Sequence, residues 1–125
     1  MRKCIKTDKA PAAIGPYSQG VQVGNLVYVS GQIPIDPATG AFAGEDIVTQ
    51  THQSLTNVKN ILAAAGFGLN DVVKTTVLLA DIADFAAMNA VYAEYFSENK
   101  PARACFAVKD LPRGALVEIE AIAAK

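Results

Sequence analysis

An α+β fold, one six-stranded mixed sheet with two helices on one of its faces, is predicted by three features of this sequence. Six short segments read as strands and only two stretches carry helical periodicity, in the order β-β-β-α-β-α-β-β. Two helices cannot cover both faces of such a sheet, so they belong on one. Two of the strands, Leu26-Val27-Tyr28-Val29 and Val77-Leu78-Leu79, are apolar on both sides, where a half-solvated antiparallel strand would alternate. The second face is therefore expected to be buried against further copies of the chain.

Each element has its own local justification. Residues 2–6 suit a short edge strand, and Ala10 to Pro16, with two prolines and a glycine, reads as a loop. Val21 to Val23 and Leu26 to Ser30 flank Gly24-Asn25, a pair that tolerates positive φ and suits a tight hairpin turn. Pro34 to Gly44 carries two prolines and two glycines and reads as a second loop. From Ile47 to Ala65, the residues Val48, Thr51, Leu55, Val58, Leu62 and Ala65 recur at helical steps, and Gly66 is a natural stop. Val72 to Ala80 is rich in Val, Thr and Leu and reads as a strand. Asp84 is placed to cap a second helix with Phe85, Met88, Tyr92 and Tyr95 on one face. Arg103 to Val108 and Leu116 to Ala123 are the last two strands.

Residues 1–125 form a single domain on this reading, because 125 residues fall in the usual range of roughly 100–150. Eleven Lys and Arg against twelve Asp and Glu give a net charge of −1, without the basic excess of a nucleic-acid binder. No apolar run approaches a membrane span of about 18 residues. The N-terminus lacks the apolar stretch of a signal peptide, and the two cysteines, Cys4 and Cys105, read as reduced and cytoplasmic. One His and two Cys are too few for an ordinary zinc site, so no metal is expected.

The common catalytic motifs fail on inspection. Pro16-Tyr17-Ser18-Gln19-Gly20 has Pro where a nucleophile elbow needs Gly. His52 lies off its helix's apolar stripe and reads as a surface residue. Gly66-Phe67-Gly68 follows a helix, whereas a dinucleotide loop must precede one. The last two strands say more. Arg103 and Cys105 share one strand face, and Glu118 and Glu120 share another. If those strands pair, a guanidinium comes near a carboxylate. Arg103 is then either a bidentate clamp for a ligand carboxylate or one half of an internal ion pair with Glu118 or Glu120; composition alone favours the ion pair. Cys105, with no nearby His, should stay a protonated thiol. Tyr17, in a loop, is either functional or a partly buried anchor.

Several motifs together resemble the RidA (YjgF/YER057c/UK114) family. They are Gly15-Pro16-Tyr17-Ser18-Gln19-Gly20, Ser30-Gly31-Gln32-Ile33-Pro34, Lys74-Thr75-Thr76-Val77, and Pro101-Ala102-Arg103-Ala104-Cys105 followed by Val117-Glu118-Ile119-Glu120-Ala121. The resemblance spans the whole chain and keeps the motif order. It implies a chorismate-mutase-like fold assembled as a homotrimer, with sites between subunits. It implies a cofactor-free hydrolase acting on C–N bonds, a 2-iminobutanoate/2-iminopropanoate deaminase. The substrates implied are imines derived from 2-aminoacrylate and 2-aminocrotonate, released by pyridoxal-phosphate-dependent dehydratases; the products are 2-oxo acids and ammonia. Carried over by position, Arg103 matches the carboxylate clamp and Glu118 the residue that positions the hydrolytic water. Cys105 and Tyr17 complete the implied catalytic group. Ser30, Gly31 and Asn89 match further substrate-binding positions. The alternatives are a regulatory trimer that binds a small 2-oxo acid without turnover, or a translation inhibitor or endoribonuclease. Near-zero net charge speaks against the nucleic-acid reading.

Overall fold

Strand pairing begins at the N-terminus. In a computed structural model that describes residues 1–125, β1 (Arg2–Ile5) pairs antiparallel with β2 (Gly20–Val23), and β2 with β3 (Leu26–Gln32). Helix α1 (Ile47–Ala64) then leads to β4 (Val72–Leu79), and α2 (Phe85–Tyr95) leads to β5 (Ala102–Ala107). The final strand, β6 (Val117–Ala124), inserts between β3 and β4 and is antiparallel to both. The sheet order is β1-β2-β3-β6-β4-β5, with β4–β5 the one parallel pair. A parallel pair needs a crossover, and α2 supplies it.

The last two strands do not pair with each other, contrary to the arrangement considered from sequence: β4 separates them. The alternation of β6 explains its central place. Val117, Ile119, Ala121 and Ala123 all face the core and are buried, whereas β5 carries Arg103 on the equivalent face and stays at the edge. Both helices pack on this inner face. Thr51, Leu55, Val58 and Leu62 are buried as the helical pattern requires, joined by Ile61. Val48, counted in the predicted stripe, is exposed in the first turn.

Helix α1 is closed at both ends by local bonds. Asp46 accepts from the Thr49 N–H at 2.9 Å, and the bonds to Thr49 hold its carboxyl below the usual range. At the C-terminus Gly66 takes φ 79°, Gly66 N donates to Ala63 O, and Phe67 N donates to Leu62 O. This is the Schellman arrangement. Helix α2 departs from expectation. Asp84 sits at its cap but makes no side-chain cap bond, because a 3₁₀ turn over Ile82–Asp84 intervenes and Asp81 caps that turn through Ala83 N. In the first hairpin Gly24 alone takes positive φ; Asn25 instead bonds to the C-terminal Lys125 through side chain and backbone.

Three buried amide side chains pin the loops. Gln19 donates to the carbonyls of Thr7, Ala10 and Pro11 and accepts from Thr7 N. Asn57 donates to Ile33 O and Ile35 O, while Gln50 links Gly44 O to Leu116 N. Such groups are costly to bury unpaired, so each loop is tied to the core that satisfies it.

The outer face of the sheet is bare. Register places Val21, Tyr28 and Ile122 in one row and Leu78, Phe106 and Glu118 in another, all opposite the helices. Val23, Tyr28 and Phe106 are 43%, 44% and 49% exposed. No helix or loop of the chain covers them.

Candidate active site

The best-built polar cluster surrounds Arg103. On α2, Phe85, Asn89 and Tyr92 lie at i, i+4 and i+7, one stripe that faces the inner side of β5. Arg103 Nη1 donates to Asn89 Oδ1 at 2.7 Å. The guanidinium carbon stands 4.6 Å from the Tyr92 ring centroid and 5.6 Å from that of Phe85. Tyr92 is itself held by a 2.7 Å hydrogen bond between its hydroxyl and that of Thr75, which is the cross-strand neighbour of Arg103. The internal ion pair with Glu118 or Glu120 is not formed; neutral groups and aromatic faces hold the cation instead. One N–H is used by Asn89, and the Nε–Nη2 edge can offer two parallel bonds to a carboxylate.

Cys105 follows on the same face, opposite Val77 and partly packed against the core. Burial pushes its thiol up, and Arg103 only partly offsets this. A thiol in that state is a poor nucleophile at neutral pH.

Glu118 stands elsewhere. It shares the outer face with Leu78 and Phe106, on the far side of the sheet from Arg103. Two strand spacings, about 10 Å, also separate β6 from β5. Its carboxylate lies over the backbone of Gly31, so close that a Cβ there would be 2.8 Å from Glu118 Cδ. The approach is set by a bulge in β3, where Val29 and Gln32 face Ala121 and Ile119 with two residues between them. Burial, and secondarily the charge of Glu120, push the Glu118 carboxyl up. Such a carboxylate holds a proton more tightly than usual and so makes a stronger base.

Ser30, beside Gly31 in the bulge, donates to Ser18 O at 2.6 Å, and its N–H donates to Gln19 O. Tyr17 is 53% exposed and lines a cavity of about 630 Å³ with Cys4, Lys6, Asp8 and Ser18. The expected residues therefore fall into two groups. Arg103, Asn89 and Cys105 come together on the inner face at one edge. Glu118 and Gly31 come together on the outer face, and Ser30 links their bulge to the loop of Tyr17. Nowhere do three His, Cys, Asp or Glu side chains converge as a metal ion would need.

Sequence reasoning missed Thr75 and Tyr92. The available signals were slight: a Thr at a core-facing position of a Val/Leu strand, and Asn89 interrupting an apolar helical stripe. His52, read as a surface residue, is half-buried and meets the Tyr95 hydroxyl at 2.8 Å across the two helices.

Comparison with known proteins agrees with the fold. A family model described as Endoribonuclease L-PSP matches residues 7–125. The chain is 54% identical to the 2-iminobutanoate/2-iminopropanoate deaminase of Mus musculus, covering 98% of this chain and 91% of that protein. It is also 54% identical to the Salmonella typhimurium protein of the same name, covering 100% and 99%. A RutC family protein from Pyrococcus horikoshii is 57% identical over 125 residues, covering 100% and 99%. Among solved structures, E. coli TdcF with bound serine superposes with a TM-score of 0.94 at 47% identity, covering 98% of each chain. The YjgF gene product of E. coli gives 0.94 at 50% identity, again covering 98% of each. No helix is long and apolar enough to cross a membrane. By matched motifs, by sequence identity along its whole length and by the order of its strands, the chain belongs to the Endoribonuclease L-PSP family, also known as RidA/YjgF.

Proposed function

We propose that this protein is an imine deaminase that hydrolyses 2-imino acids to 2-oxo acids and ammonia, at a site shared between copies of a homotrimer. The observation that carries the reading is the state of Arg103, a cation oriented by Asn89 and two aromatic rings with no protein carboxylate to neutralise it. An arginine so held favours a planar anionic ligand. The name borne by the mouse and Salmonella relatives supports an imino acid as that ligand.

In this mechanism Arg103 binds the substrate carboxylate and leaves the imine carbon beside a water molecule. Glu118 accepts a proton as the water oxygen bonds to that carbon. The C=N π electrons move to nitrogen, which takes that proton back from Glu118. The tetrahedral adduct then collapses: the hydroxyl proton passes through Glu118 to the amino nitrogen, the C–N bond breaks, ammonia leaves and the carbonyl forms. An imine carbon is already electrophilic, so about 4 kcal/mol of stabilisation suffices for a thousandfold acceleration. Positioning and one general base can supply that.

Within one chain, Arg103 and Glu118 occupy opposite faces and cannot address one small substrate. A second subunit that supplies Glu118 removes the difficulty, and the bare apolar outer face is the surface it would cover. Tyr17, Ser30 and Gly31 would enter the site with Glu118, and Cys105 and Asn89 with Arg103.

The test couples a threonine or serine dehydratase, which generates the enamine, to continuous measurement of 2-oxo acid. Acceleration by the protein that disappears in Arg103→Ala supports the reading. Stabilisation by a 2-oxo acid without turnover would favour a regulatory binding protein. RNA affinity that falls steeply with salt would favour the nucleic-acid activity in the family's description.

A further inference from the structure

We propose that Tyr92, pinned by Thr75, is the positioning residue of the clamp: it fixes the plane in which the Arg103 guanidinium meets a carboxylate. The inference rests on the deaminase reading and adds residues to it.

A guanidinium on a long side chain has two orientations to settle. One is the direction of its edge, set here by the Nη1 bond to Asn89. The other is the tilt of its plane, which a single hydrogen bond leaves free. The Tyr92 ring, whose centroid lies 4.6 Å from the guanidinium carbon, limits that tilt by cation–π attraction. The ring itself would be free to slide were it not for its hydroxyl, which bonds to Thr75 Oγ1 at 2.7 Å. Thr75 is paired with Arg103 in the parallel ladder. The contacts therefore close a circuit, from Arg103 through the backbone ladder to Thr75, on to Tyr92 and back to Arg103.

Packing alone does not require this pair. Thr75 is 1% exposed and Tyr92 7% exposed, so two hydroxyls are carried into the core to meet only each other. A Val and a Phe would fill the same space without burying polar atoms. What the hydroxyl pair adds is a fixed place for the ring. Burial holds the Tyr92 phenol above its ordinary range, so the ring stays neutral beside the cation.

The experiment measures KM and kcat in the dehydratase-coupled assay for Tyr92→Leu, Tyr92→Phe and Thr75→Val, together with thermal stabilisation by 2-oxobutanoate. Arg103 holds the carboxylate away from the reacting bond, so loosening it weakens substrate and transition state alike and raises KM. Tyr92→Leu should raise KM about tenfold with kcat altered less than about threefold, and should lose most stabilisation by 2-oxobutanoate. Tyr92→Phe keeps the ring and loses its tether, so its KM should rise only about threefold. Thr75→Val should match it, and the double variant should be no worse than either single one, since both remove one bond. If Tyr92→Leu does not fold, the two conservative variants decide the matter. Wild-type KM in all folded variants, or a fall in kcat at constant KM, would overturn the inference. A wild-type protein that neither turns over imine nor is stabilised by 2-oxobutanoate would instead overturn the deaminase reading.

Discussion

Gly31→Ala should separate activity from stability. The backbone at residue 31 is not in the left-handed region, so alanine meets no conformational barrier there. What it meets is Glu118. The new Cβ would stand 2.8 Å from Cδ and 3.1 Å from Cγ, with the Oε2 oxygen closer still. Ordinary carbon contacts begin near 3.5 Å, so the carboxylate must retreat by about 1 Å. A flexible side chain can do this at about 0.5–1.5 kcal/mol of rotamer strain. Stiffening the unfolded chain returns about 0.4–1 kcal/mol. The melting temperature should therefore change by less than about 4 °C. Activity should not be spared, because misplacing a catalytic group by 1 Å can cost about a hundredfold in rate. Continuous 2-oxo acid release in the coupled assay measures the loss. The same substitution in a Glu118→Gln background should cost less than about threefold more, since the displaced group is already disabled. Full turnover by a folded Gly31→Ala protein, or an undiminished hundredfold loss without Glu118, would mean that the contact between Gly31 and Glu118 does not set the rate.

Three further outcomes are expected. In the proposed mechanism Glu118 must be ionised to accept a proton, and burial together with Glu120 raises its pKa. The rate should therefore fall as pH drops through that raised value, and Glu120→Gln should move this acidic limb of the kcat/KM profile to lower pH; an unmoved limb would deny the coupling. Cys105→Ser should keep substantial turnover, because burial pushes the thiol's pKa up and away from the thiolate a nucleophile needs, and complete loss in a folded protein would point to nucleophilic catalysis. Asn57→Leu leaves the half-buried Ile33 O and Ile35 O without their donor and should cost about 2–3 kcal/mol, read as a fall in melting temperature of about 10 °C; an unchanged melting temperature would mean those carbonyls need no partner.

The sequence carries the fold better than it carries the site. Periodicity locates both helices, and parity along each strand correctly pairs Arg103 with Cys105 and Glu118 with Glu120. Parity does not say which face a strand turns toward the helices. That depends on which neighbour it takes, and β5 takes β4 through the α2 crossover while β6 fills the gap beside β3. The placement of Arg103 and Glu118 on opposite faces follows from that non-local choice. The buried amides Gln19, Gln50 and Asn57 were illegible for a related reason. Their side chains look like surface groups until the carbonyls they satisfy are brought in from distant loops. Asp81 and Asp84 both suit a helix cap, and only the intervening 3₁₀ turn decides between them.

The proposed site takes Arg103 from one subunit and Glu118 from another, an arrangement that subunit mixing can decide. Arg103→Ala and Glu118→Ala chains are each purified, shown to be inactive trimers, then unfolded together in equal amounts and refolded. About three quarters of the resulting trimers contain both chains, and cyclic symmetry gives each of these one intact site in three. Turnover should return to about a quarter of the wild-type rate per site. A mixture that stays inactive, although mixed trimers are demonstrably present, would rule out a site shared between subunits in this way.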